Sequence, residues 1–279
     1  MNNLLTQQAL KALLYEVVTL PKPGLVDPLD HTTHPDMDIY RFIDSILSLE
    51  NYFNYCANVS SNFKGNNLTY LFNKIRQAGI QAEKDMFIAT NNVNTHKGAI
   101  FSLGILVSAF AYSITQNHTK EPQKVQVVIK KMLTNLLSDF QYNKLNNKIL
   151  KTAGEQQFIK YHLYGARGEA AAGFPTIFKY GFPYLKNSTG CWQNRLLDTL
   201  MYLAKNTKDS NLLKRSNNPQ IFKWLNEKID IYFKLGGANT KKGKKYLYYL
   251  NNEFNNMNYS LGGTADMLIA SIFVYLIEK

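Results

Sequence analysis

Cysteine is nearly missing from this chain: only Cys56 and Cys191 occur in 279 residues, far apart and without the paired spacing of a zinc site. That excludes a disulfide framework and a cysteine-held metal, and it fits a reducing compartment. Acidic residues are also short, 20 against 32 Lys and Arg, which leaves a formal charge of +12. Such an excess expects an anionic partner: nucleic acid, a membrane surface or a phosphorylated small molecule. Part of it is compositional, because 30 Asn accompany the lysines. The opening stretch MNNLLTQQALKALLYEVVTLPKPG has no basic segment leading an apolar one and carries Glu16 in its midst, so no targeting segment is read and a cytoplasmic location is expected. Long uncharged runs are scarce as well. The segment from Gly98 to Ile114, 17 residues, stands at the short edge of a membrane span and has no second of its kind, so it reads as a buried central helix with no membrane partner.

Alternating strand patterns are few, whereas apolar residues recur at three and four positions almost throughout. LLTQQALKALLYEVV, IYRFIDSILSLENYF, LTYLFNKIRQAGIQAEKDMF, VQVVIKKMLTNLLSDF, NRLLDTLMYLAK, IFKWLNEKIDIYF and TADMLIASIFVYLI all carry this spacing. The expectation is an all-α fold, one multi-helix domain over residues 1–279, with the polar stretch from Thr115 to Gln126 as a loop.

The unusual residues fall at the ends of these helices. In PKPGLVDPLDHTTHPDMD, Pro21, Pro23 and Gly24 end the first helix, and Asp27, His31, His34, Asp36 and Asp38 then crowd together, which suits either a solvated turn with an Asp cap or a hard cation held by carboxylates. In NNVNTHKGAIFSLG, Asn94 or Thr95 can cap the next helix, leaving Lys97 beside its positive dipole end as a point charge for phosphate. YGARGEAAAGFP offers Arg167 as a forked phosphate donor with Glu169 two residues on. KDSNLLKRSNN places Asp209 and Asn211 before Arg215, and YSLGGTADML sets Gly262 and Gly263 ahead of Asp266. Taken singly, each has a plain structural explanation as a cap, a surface charge or a turn.

In order along nearly the whole chain, PKPGLVD, HPDMD, AEKDM, NTHKGAIFSLG, GARGEAAAGFP, DSNLLKR and GGTADML resemble the triphosphoribosyl-dephospho-CoA synthase family. That family carries Gly-Ala before its H-x-D-M string where this chain has Thr32 and Thr33, Thr and Pro where Ser210 and Leu261 stand, and Gly after the arginine where Ser216 and Asn217 stand. The resemblance implies a transferase that joins ATP to 3′-dephospho-CoA and releases adenine. Its product would pass to a holo-acyl-carrier-protein transferase and become the prosthetic group of citrate lyase or malonate decarboxylase. It further implies a nucleotide site at Asn94, Thr95, His96, Lys97, Gly98, Arg167, Arg215, Gly262 and Gly263, and Mg2+ held by some of Asp27, Asp36, Asp209 and Asp266. Glu83, His34 and Glu169 are its candidates for the base.

Three rivals suit parts of the pattern, the blandest a helical scaffold protein, which has no use for acidic and basic groups at five separate helix ends. A magnesium-dependent nucleotide or ADP-ribosyl glycohydrolase would use the same acidic helix ends. A basic helical protein binding nucleic acid is suggested by Lys241, Lys242, Lys244 and Lys245 ahead of three tyrosines, although that stretch reads better as a solvated loop leading into a helix, and no nucleic acid is expected.

Overall fold

The computed structural model describes residues 1–138, 160 and 164–279. All regular structure among them is helical, as the periodicity requires. The first half consists of α1 (Asn2–Val17), α2 (Ile39–Ser48), α3 (Glu50–Ser61), α4 (Leu68–Ala89), α5 (Lys97–Gln116) and α6 (Pro122–Met132). After α7 (Gly165–Ala171), a π-helical turn (Thr176–Gly181) runs into α8 (Phe182–Asn187). The rest comprises α9 (Trp192–Asn206), α10 (Ser210–Ser216), α11 (Ile221–Lys234), a 3-10 turn (Gly237–Asn239), α12 (Lys241–Met257) and α13 (Gly262–Glu278).

Local chemistry sets several of these boundaries. Asp38 begins α2 by accepting the Arg41 N–H at 2.8 Å, and Thr240 begins α12 by accepting the Gly243 N–H at 3.0 Å. Asn91 and Asn92 turn the chain between α4 and α5 with φ of 54° and 64°, a region Asn tolerates better than most side chains. The expected loop from Thr115 to Gln126 is shorter than the polar composition suggested, since α5 runs to Gln116 and α6 starts at Pro122. IYRFIDSILSLENYF is two helices rather than one: at the buried Leu49 the N–H closes a tighter turn onto the Ile46 carbonyl, which lets α2 face α4 while α3 faces α1 and α5. The four lysines at 241, 242, 244 and 245 are exposed on the first turns of α12 itself, not on a loop before it. Of the pattern VQVVIKKMLTNLLSDF, α6 takes the part up to Met132, and the last two residues lie outside the described residues.

Two helices, α5 and α13, are apolar nearly all round and form the centre. They pack on each other, with Phe110 edge-on to Phe273 at 5.7 Å, while α1, α3, α4 and α6 surround α5 and α1, α8 and α9 flank α13. At α3 the approach is so close that a Cβ on Gly104 would stand 1.9 Å from the Tyr52 hydroxyl. One continuous apolar core results, running from Leu5 to Ile277, and each fully buried Leu, Ile or Phe in it contributes roughly 1.5–3 kcal/mol. The uncharged segment in α5 is the one helix among the described residues with the length and hydropathy of a membrane span, and 72% of it is buried inside the protein, as a core helix should be. Both central helices begin at the same end of the molecule, and this brings the polar segments together.

Candidate active site

The N-termini of α5 and α13 open into a cleft of two lobes, about 380 Å3 and 610 Å3, which share Asn94, Lys97, Gly98, Asn211 and Asp266. The first lobe lies between the loop after α1 and α10, with His34, Asp36, His96, Arg215 and Ser260 on its walls. The second is bounded by α7 and the start of α10, with Glu169, Thr176, Lys208 and Asp209. Gly262 faces the first lobe and Gly263 the second. Side chains from all five polar segments therefore meet around one cleft, though not every residue expected there reaches it.

At the head of α5, Asn94 Oδ1 accepts the Lys97 N–H at 3.3 Å, so Asn94 rather than Thr95 acts as the cap. Thr95 instead donates to Ser45 Oγ at 2.7 Å, and Ser45 Oγ lies 2.7 Å from His96 Nδ1. His96 is 2% exposed, and Nε2 has no partner among the described residues. Burial and then the charge of Lys22 push its pKa down to about 3, so the ring is neutral at the wall of the first lobe. Lys97 lines both lobes while its ammonium rests 2.8 Å from Glu83.

Across the lobe, Arg215 donates to the Thr33 and Asn258 carbonyls at 3.1 Å and to Asn258 Oδ1 at 2.6 Å. Its Nη2 lies 3.2 Å from His34 Nδ1 and 3.4 Å from Nε2; arginine can only donate, so the lone pair of the neutral ring faces Arg215, while Nε2 also lies 3.1 Å from Ser260 Oγ. Burial, then Arg215, lowers the His34 pKa to about 4. In the second lobe Glu169 accepts the Thr176 N–H at 3.3 Å and its hydroxyl as well, while burial raises its pKa.

Several expected roles do not survive this geometry. Asp27 lines neither lobe: its carboxylate accepts the N–H groups of Lys22, Leu29 and Asp30 at 2.8–3.0 Å and so shapes the turn after α1. Asp209 reaches the second lobe, but its oxygens accept from Asn211 N, Leu212 N, Thr264 N and Thr264 Oγ1, tying α10 to α13. No three His, Cys, Asp or Glu side chains gather as a cation cage among the described residues; Asp27 and Asp209 are filled by their own donors, and Asp36 and Asp266 are the carboxylates left that could reach a magnesium ion held mainly by substrate phosphates and water. Arg167 turns away from both lobes and donates to the Leu136 carbonyl at 2.6 Å. Glu83 holds Lys97 from outside the cleft and is placed as its counter-ion, not as a base.

Sequence reasoning missed Glu16 and Lys22. Lys22 Nζ, 1% exposed, lies 2.5 Å from Glu16 Oε1 and 2.7 Å from the Glu16 carbonyl, an ion pair in the floor behind the first lobe. Asp266 lies in front of it and has no hydrogen bond or ion pair among the described residues. Burial, then Asp209 and Glu16, raises its pKa well above the usual carboxylate value. Its Oδ2 sits against the α5 backbone, where a Cβ on Gly98 would stand only 2.0 Å away. Gly98→Ala should therefore displace Asp266 even though Ala is the better helix former. A shift of this kind is expected to cost about 100-fold in turnover with the melting temperature held or raised; unchanged turnover would show that the contact is slack.

An all-helical protein with basic side chains and two helix N-termini around a two-lobed cleft has the features of a protein that binds phosphorylated small molecules. Residues 2–279 match the family model described as ATP:dephospho-CoA triphosphoribosyl transferase, and the chain belongs to that family. It is 46% identical over 275 residues to a probable 2-(5″-triphosphoribosyl)-3′-dephosphocoenzyme-A synthase of Lactiplantibacillus plantarum, covering 98% of this chain and 96% of that protein. It is also 46% identical over 268 residues to Protein CitXG of Leuconostoc mesenteroides subsp. cremoris, covering 95% of this chain and 57% of that protein. A probable synthase of the same name from Streptococcus equi subsp. equi is 35% identical over 287 residues, 99% of this chain and 97% of that one. No solved structure matches the chain.

Proposed function

We propose that this protein joins ATP to 3′-dephospho-CoA, giving 2′-(5″-triphosphoribosyl)-3′-dephospho-CoA and free adenine. The observation that carries the reading is the shape of the cleft: two lobes meet at Lys97, Gly98, Asn211 and Asp266, as a reaction between two nucleotides needs. The 2′-hydroxyl of one nucleotide attacks C1′ of the other while adenine leaves, through a transition state with oxocarbenium character. Since the phosphoanhydrides stay intact, the cations position and do not cleave. Lys97 and the first turn of α5 suit the triphosphate, Arg215 orients His34 and the adjoining turn, and the unpartnered Nε2 of the neutral His96 suits a hydrogen bond to substrate. Magnesium would act as counter-ion to the triphosphate, with Asp36 and Asp266 the carboxylates within reach of it. ATP and dephospho-CoA as substrates support a cytoplasmic location, and on this reading the product would go on to a holo-acyl-carrier-protein transferase for citrate lyase or malonate decarboxylase.

Incubation with ATP, magnesium and dephospho-CoA, followed by chromatography for adenine, tests this directly. Adenine should appear only when all are present. Release without dephospho-CoA would make the protein a glycohydrolase, and no release at all would remove the reading.

A further inference from the structure

The reaction needs a group to receive the proton of the attacking hydroxyl, and the cleft contains several carboxylates with different commitments. Glu16 is paired with Lys22, Asp209 is filled by four donors, and Glu169 accepts from Thr176. Asp36 stands exposed at the rim of the first lobe, beside Arg215 and His34. His34 spends its lone pair on Arg215 and borders the first lobe alone. Asp266 differs from all of them: it is the carboxylate on the shared wall of both lobes, and its oxygens have no partner among the described residues. An uncommitted carboxylate half-buried in a core helix is costly unless a ligand meets it. The unpartnered His96 Nε2 on the same lobe independently marks a place where a ligand supplies the missing hydrogen bond.

We propose that Asp266 is the catalytic residue that accepts the proton of the attacking ribose 2′-hydroxyl of dephospho-CoA, at the junction where the two nucleotides meet. The inference rests on the transferase reading above. As the bond from the 2′-oxygen to C1′ forms, the C1′–N9 bond breaks and its electron pair leaves with adenine. The hydroxyl proton passes to the Asp266 carboxylate and from there to solvent, and adenine takes up one proton at a ring nitrogen, so charge and protons balance. The charged groups around Asp266 are Glu16 from α1 with Lys22 behind it, Asp209 from the start of α10, and Lys97 at the head of α5. The two acidic neighbours make the carboxylate a stronger base. Because its pKa is raised, turnover should climb with pH until Asp266 is ionised and then level off.

The experiment compares wild-type and Asp266→Asn protein, with Asp266→Ser as a second variant, in single-turnover adenine release at saturating substrates from pH 5 to 9, and measures ATP and dephospho-CoA binding by calorimetry. The expected result is binding of both substrates within about threefold of wild type, release slowed roughly 100- to 10,000-fold, and loss of the acidic limb of the profile. Release within tenfold of wild type, survival of the acidic limb in both variants, or a loss of ATP affinity as large as the loss of rate would each overturn the proposal, the last by making Asp266 a binding group. If wild-type protein releases no adenine from the full mixture, the transferase reading has failed; if it does and Asp266→Asn keeps pace, only the role of Asp266 has.

Discussion

Lys22→Met is expected to lower the stability of the protein by about 3–5 kcal/mol, the cost of leaving a buried charge without its partner. Lys22 and Glu16 have side chains only 1% and 4% exposed, and the ammonium also satisfies the Glu16 carbonyl at the end of α1. Methionine fills most of the lysine volume, so packing loss is small and the effect isolates the charge. In a chain of this size the loss corresponds to a fall in melting temperature of roughly 6–20 °C. Adding Glu16→Gln should restore much of it, because an uncharged pair of similar shape avoids the desolvation cost of both ions. The substitution also removes the positive neighbour that helps hold His96 neutral, so the His96 pKa should rise from about 3, which a ring-proton titration reads. A denaturation midpoint within about 1 kcal/mol of wild type would show that water reaches Glu16 and that the pair is not sealed.

That pair also shows where reading the sequence stopped. Pro21, Pro23 and Gly24 were legible as the end of α1, but nothing in the pattern says that the lysine between the prolines folds back six residues onto a helix glutamate. The helical class and the gathering of polar segments were legible because Gly, Pro and capping residues mark helix ends, and two apolar helices that begin at one end of a core must present those ends together. Which carboxylate stays available was not. Asp27 and Asp209 each have backbone N–H groups two or three residues ahead that fill them, a local pattern that sequence can show. Asp266 lies within a helix, and its surroundings are set by α1, α5 and α10, all distant in sequence. Arg167 fails as a phosphate donor for the same reason: the carbonyl it meets belongs to Leu136, 31 residues earlier.

Lys97→Met should cut kcat/KM for ATP by roughly 10- to 1000-fold, about 1.4–4 kcal/mol of transition-state stabilisation. Lys97 is the cation common to both lobes among their lining lysines and arginines, at the first residue of a 20-residue helix whose dipole favours anions. Its present partner, Glu83, is a half-exposed carboxylate, and such a pair is worth little in solution, so an arriving triphosphate can draw the ammonium away at small cost. The phosphates it holds do not react. Their binding energy serves to fix C1′ against the incoming hydroxyl, and truncating the substrate should therefore cost turnover as well as affinity. AMP should be a poor donor even at saturation, and Lys97→Met should slow AMP far less than ATP, since the missing phosphates are the ones the lysine would touch. Glu83→Gln, which removes the competing carboxylate, should leave ATP turnover intact or lower its KM. Equal losses for ATP and AMP in Lys97→Met would place the lysine at the sugar or the base and overturn its assignment to the triphosphate.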